Sequence, residues 1–140
     1  MVNHSFCHAS LCIYPKDGIR TATFTGLLGL TPTHTEDRRA KIQSSGKSRS
    51  VQPHWILSSE SSVSDRKDVG VHLAWLAERL SAAVLEKVLP LADEVLISVY
   101  LGGGTTLGGY VAEIPPRLLT TVAALGVSVR FDAYFMDVSS

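Results

Sequence analysis

Apolar and polar residues alternate through "FCHASLCIY", where Cys7, Ala9, Leu11 and Ile13 fall on one side and His8, Ser10, Cys12 and Tyr14 on the other. Successive side chains of a strand point to opposite faces, so this parity predicts a strand with one apolar face. The same period returns in "EVLISVYL", with Val95, Ile97, Val99 and Leu101 in phase. It is cleanest in "VSVRFDAYF", where Val127, Val129, Phe131, Ala133 and Phe135 are expected inward and Ser128, Arg130, Asp132 and Tyr134 outward. A fourth strand is expected in "VQPHWIL", with Val51, Trp55 and Leu57 on one side. Pro53 has no amide to donate and belongs at an edge or a strand start.

Helical spacing marks three other segments. "TATFTGLLGL" carries Phe24, Leu27 and Leu28 on one face, with Thr21 as a candidate cap and Gly26 and Gly29 as weakening residues. "DVGVHLAWLAERLSAAVLEKVLP" predicts one long helix with two apolar stripes and a narrow polar back of His72, Arg79 and Glu86. Asp65 or Asp68 is placed to cap it and Pro90 to end it. "IPPRLLTTVAALG" predicts a helix with proline in its first turn and Gly126 as its stop. Between these elements, residues 31–50 and the serine-rich residues 58–65 lose the apolar period and are expected as loops, the first of them long, polar and basic.

Strands and helices alternate along the chain, yet most strand patterns keep one polar face, unlike the continuous apolar strands of a sheet buried on both sides. The expected class is therefore α+β: a mainly antiparallel four- to five-stranded sheet with about three helices layered on one face, in a single domain spanning 1–140.

Composition narrows the function classes. Hydrophobic residues make up 45% of the chain, enough for a core, while 13 basic and 13 acidic residues cancel. No long-range field gathers nucleic acid or an anionic membrane, so neither is expected as a partner. No apolar run reaches membrane-spanning length and the first residues carry no signal-peptide pattern, so the expected location is cytoplasmic. Cys7 and Cys12, five apart on one strand, would lie ~16 Å from each other and cannot form a disulfide there.

Specific chemistry is scarce. The stretch "LGGGTTLGGY", Leu101 to Tyr110, places Leu107 where a dinucleotide fingerprint requires glycine, and a hairpin or bulged strand is the expected structure. "GKS" at Gly46 to Ser48 has Lys41 where a P-loop requires its first glycine. The surrounding Arg38, Arg39, Lys41, Lys47 and Arg49 either meet an anionic partner or form a solvated basic loop. His4, Cys7, His8 and Cys12 match no zinc spacing, so no metal or other cofactor is expected. No nucleophile elbow surrounds any serine and no base is evident beside one, so the chain is not expected to be an enzyme. The alternative is a small enzyme or ligand-binding domain with a pocket assembled only on folding.

The best candidate is a surface. With helices on one face of the sheet, the other displays His8, Tyr14, His54, Ser98, Tyr100, Arg130, Asp132 and Tyr134. Of these, His8, Tyr14, His54, Tyr100, Arg130, Asp132 and Tyr134 form the candidate binding set, because tyrosine and arginine anchor interfaces most often. The partner would be another protein or a second copy of the chain; an ordinary solvated sheet face is the competing reading.

Several segments together resemble a known family. "SLCIY", "GLLGLTPTHT", "HWILSS", "VHLAWLAERL" and "IPPRLLTTVAALGVSVRFDAYF" are similar to the bacterial domain-of-unknown-function family 4279, across nearly the whole chain. The most specific features are Gly29, Pro32 and Thr33, Trp55 before the serine loop, the "HLAWL" helix, and Leu119, Leu125 and Gly126 leading to Tyr134. The resemblance implies a small, stand-alone cytosolic protein without an assigned activity, cofactor or catalytic residue. Some relatives lie near toxin genes, which would suit an immunity protein that binds and blocks.

Overall fold

The computed structural model describes residues 5–44, 47–105 and 112–137. In chain order these form β1 (Ser5–Pro15), α1 (Thr21–Leu28), β2 (His34–Glu36), β3 (Ala40–Ser44), β4 (Lys47–Val51), β5 (His54–Ser58), α2 (Val69–Ala77), α3 (Ala82–Val88), β6 (Ala92–Thr105), α4 (Pro116–Ala124) and β7 (Ser128–Asp137). A 3₁₀ turn, Leu89–Leu91, leads into β6. The fold is α+β, as the alternating patterns predict. Five strands make one sheet in the order β2-β5-β1-β6-β7, and β3 and β4 pair separately. All ladders are antiparallel except β6 with β7, which run parallel because α4 carries the chain back between them.

Parity decides which side of the sheet is covered. Cys7, Ala9, Leu11 and Ile13 of β1 share one core with Val95, Ile97, Val99 and Leu101 of β6 and with Trp55 and Leu57 of β5. All four helices cover this side: Phe24 of α1, Val69, Leu73 and Leu76 of α2, Leu85 and Val88 of α3, and Val122 of α4 belong to the same cluster. No helix among the described residues is long and apolar enough to cross a membrane. Both cysteines are buried thiols, and Cys7 Sγ donates to the Lys67 carbonyl at 3.0 Å.

The structure corrects several expectations. The expected loop over residues 31–50 contains strands: β2 pairs with β5, and β3 and β4 form an antiparallel pair, while Ser45 and Gly46 lie outside the described residues. Polar residues suffice here because backbone hydrogen bonds, not apolar burial, define a strand pair. The predicted long helix is two. Arg79 folds back so that its guanidinium donates to the Trp75 carbonyl at 2.7 Å and lies 4.1 Å over that indole, ending α2. Ser81, a residue type suited to helix starts, then stands at the N-cap position of α3. Val71, expected on an apolar stripe of that helix, is exposed in the first turn of α2.

Thr21 does not cap α1 but is its first residue. The Asp37 carboxylate, just past β2, caps it from outside, accepting from the Thr21 amide at 2.7 Å and its hydroxyl at 3.1 Å. Asp68 does cap α2, accepting from the Val69 amide. In the glycine stretch, β6 keeps unbroken register with β1 from Gly103 to Glu94, and the only shift falls at Tyr14 and Pro15. No bulge therefore interrupts Leu101 to Gly103; Thr106 to Tyr110 lie outside the described residues. Phe131, expected inward, is 49% exposed, because β7 is the last strand of the sheet and the helices do not reach over it there.

Candidate functional site

Strand register assembles the uncovered face row by row. Phe6, Gly102 and Tyr134 form one row; His8, Tyr100 and Asp132 the next; Ser58, Ser10, Ser98 and Arg130 the third; and His34, Ile56, Cys12, Leu96 and Ser128 the fourth. Tyr14, Glu94, His54 and Glu36 follow by parity. All seven residues of the candidate set thus lie on one face, but they do not form one group. The middle of the face is occluded, with Ser10, Cys12, Ser58 and Leu96 buried, and this divides it into two ends.

At one end, His8, Tyr100 and Tyr134 come together with Phe6 in an aromatic array. Tyr100 is its centre, with ring centroids 5.1 Å from His8, 5.3 Å from Tyr134 and 5.8 Å from Phe6, all close to parallel. Such pairs are each worth about 0.5–1.5 kcal/mol beyond burial. Tyr134 is 61% exposed, so the array presents an aromatic surface to solvent.

The same rings account for glycine at position 102 of β6. A Cβ at that position would stand 2.9 Å from Phe6 Cε2, Phe6 Cζ and Tyr100 Cε1, so the rings lean over the bare backbone from both sides. Gly102→Ala is expected to leave the protein folded, with stability changed by less than about 1 kcal/mol, since ring tips can swing away. The displaced rings should alter the near-UV circular dichroism and the ring-current-shifted aromatic resonances; unchanged spectra would refute this packing.

A cleft of about 660 Å³ adjoins the array, walled by Phe6, His8 and Tyr100 on one side and by Glu60 to Asp65 on the other. A buried network sets that wall. Ser59 Oγ accepts from the Ala9 amide at 3.0 Å and donates to His72 Nδ1 at 2.6 Å, and His72 Nε2 donates to the Ser64 carbonyl at 3.0 Å. The Ser59 amide bonds the Ala9 carbonyl, and the Cys7 amide bonds the Asp65 carbonyl. Past the end of β5, the serine-rich segment therefore continues to hydrogen-bond β1. His72, expected on a polar back, and Ser59 are both fully buried. A base does stand beside a serine, contrary to expectation, but the pair is sealed from solvent and Ser59 already accepts an amide, so its work is structural. Burial holds His72 below the ordinary histidine range.

At the other end, Tyr14, His54 and Arg130 line a cleft of about 670 Å³ with Arg39, Asp93 and Glu94. Arg130 is 3.3 Å from Asp132, which also accepts from Ser98 Oγ at 3.1 Å. His54 Nδ1 donates to the Gln52 carbonyl at 2.8 Å, leaving Nε2 to accept from His34 Nδ1 at 2.7 Å. Burial raises the Tyr14 phenol above its ordinary range, with Arg130 pulling it back. Burial likewise pushes the Cys12 thiol up to about 11, so it stays protonated and unreactive at neutral pH. Among the described residues no three His, Cys, Asp or Glu side chains are placed to hold a metal ion, and His4 lies outside them.

Parity with His8 would have found Phe6. Parity with Ser98 and Tyr100 in β6 would likewise have found Glu94, whereas Arg39 carried no such signal, because it lies in the connection between β2 and β3.

These features define a class: an α+β protein with helices on one face of a mixed sheet and a partly aromatic opposite face. The chain belongs to the domain-of-unknown-function family DUF4279, whose model matches residues 5–136. No curated protein and no solved structure matches it.

Proposed function

We propose that the chain is a non-catalytic binding module that receives another protein on its uncovered sheet face, with Tyr100 and Tyr134 as anchors. The observation that carries this is the exposed aromatic array, pre-stacked in the free protein, so that little side-chain freedom is lost on binding. Aromatic side chains of this kind dominate interface energies, and the surrounding serines and the Arg130–Asp132 pair supply a polar rim. The role could be that of an immunity protein, which acts by occupying its target and needs no catalytic group.

Truncating an anchor should remove 2 kcal/mol or more, a weakening of roughly 30-fold or greater. Partners captured from host extract by the wild-type chain should be lost with Tyr134→Ala and with Tyr100→Ala. An identical captured set would sink the reading.

The mixed-charge cleft at Tyr14, Arg39 and Arg130 favours a second reading, a small-ligand site, since its volume falls in the range of ligand pockets. That reading predicts binding insensitive to Tyr134→Ala but lost with Arg130→Ala.

A further inference from the structure

The outer edge of β7 raises a separate question. Among the described residues no strand lies beyond it, so half of its backbone amides and carbonyls point away from the sheet. It is ten residues long and in unbroken parallel register with β6. Soluble proteins blunt such edges with proline, lysine, a bulge or extreme shortness. The opposite edge, β2, is blunted in this way, with three residues. β7 has none of these devices: its sequence is "SVRFDAYFMD", and its only charges before the final aspartate are Arg130 and Asp132, either side of the half-exposed Phe131.

Those three residues are self-complementary. In an antiparallel pairing of β7 with a second β7, a two-fold axis through Phe131 sets each residue opposite the one whose number completes the same sum. Arg130 then faces Asp132 of the second copy, Asp132 faces the second Arg130, and the two Phe131 rings meet at the axis. Val129 faces Ala133, and Ser128 faces Tyr134. An axis through a residue is permitted whether that residue's backbone groups point outward or inward. Opposite charges directly across a strand pair stabilise it, and like charges oppose it. A formal net charge of zero adds no overall repulsion between copies.

We infer that two copies of this chain associate edge to edge through β7, about a two-fold axis at Phe131, joining two five-stranded sheets into one of ten. The aromatic arrays would then lie on one continuous face, with the two Tyr134 residues flanking the junction.

The test uses the intact chain and measures its mass in solution at micromolar concentration by light scattering. The wild type should show about twice the 15.1 kDa of one chain. Asp132→Arg makes both facing positions positive and Arg130→Asp makes both negative, so each variant alone should run as one chain. Mixed in equal amounts, they pair opposite charges at both positions and should recover the doubled mass. Loss of Arg130's contact with Asp132 within one chain cannot account for that recovery, because neither variant regains it. In a second measurement, Phe131→Cys should oxidise to a covalent dimer, since residues on the axis have Cα atoms within disulfide reach while Cys7 and Cys12 are buried. A wild-type chain with the mass of one copy overturns the inference. So do single variants that stay doubled, or a mixture that stays single while Phe131→Cys fails to cross-link.

Discussion

Replacing Trp55 with alanine is expected to destabilise the fold by roughly 3–5 kcal/mol and to lower its thermal midpoint by roughly 10–20 °C. The indole is fully buried on β5, with Ile13 of β1 and Thr35 of β2 as its strand partners, and it belongs to the same cluster as Phe24 of α1. Its Nε1 donates to Thr25 Oγ1 of α1 at 3.0 Å, so one side chain joins a helix to the strand that carries the short edge strand β2. Alanine leaves a cavity and an unanswered hydroxyl together. Against a total stability of roughly 5–15 kcal/mol for a domain, the loss is a large fraction. Trp55→Phe keeps most of the volume and forfeits only the hydrogen bond, at about 1 kcal/mol. Urea titrations followed by far-UV circular dichroism separate the two. A Trp55→Ala loss no larger than that of Trp55→Phe would show that the indole's volume is not holding α1 to the sheet.

Trp55 also illustrates what could be read in advance. Alternation in β1, β6 and β7 is a local property, since side-chain direction depends only on parity within a strand. For the same reason parity alone puts the seven candidate residues on the side of their strands opposite the apolar one, and register places all seven on one face of the sheet. Which of them would meet was not legible, because rows across a sheet follow from register, and register follows from long-range pairing. Tyr100 stacks on His8 and Tyr134 only because β6 lies between β1 and β7. The β3 and β4 pair escaped because its residues carry no apolar period; the one local signal was the Ser45-Gly46 dipeptide. The break between α2 and α3 escaped for the opposite reason, an apolar period that runs through it unbroken. Arg79 and Ser81 marked the break, but as surface-type residues they read equally well as part of a helix's polar side.

The polar residue least legible in the sequence carries the second large effect. His72→Leu is expected to lose roughly 2–5 kcal/mol at neutral pH, since it leaves the buried Ser59 hydroxyl without its acceptor and the Ser64 carbonyl without its donor. The wild type should in turn be acid-sensitive through this group. Burial lowers the folded-state pKa of His72 below the ordinary value near 6.5; nearby His8 adds to this, while the Ser64 carbonyl and Asp65 oppose it. Between the two pKa values the unfolded chain binds a proton that the folded chain does not, so stability rises with pH across that window. The contribution is therefore complete above about pH 6.5 and is lost as pH falls toward and through the folded value, with a slope of at most about 1.4 kcal/mol per pH unit. Protonating Nδ1 also turns the acceptor of the Ser59 hydroxyl into a second donor, so that Oγ, which already accepts from the Ala9 amide, must accept from Nδ1 as well and its own buried hydrogen is left without a partner. Urea midpoints of wild type and His72→Leu, measured from pH 8 to pH 5, test this directly, because every other titrating group is common to both chains. The gap between the two curves should narrow on acidification. A gap that stays constant across the range would mean that His72 is not held neutral by its burial.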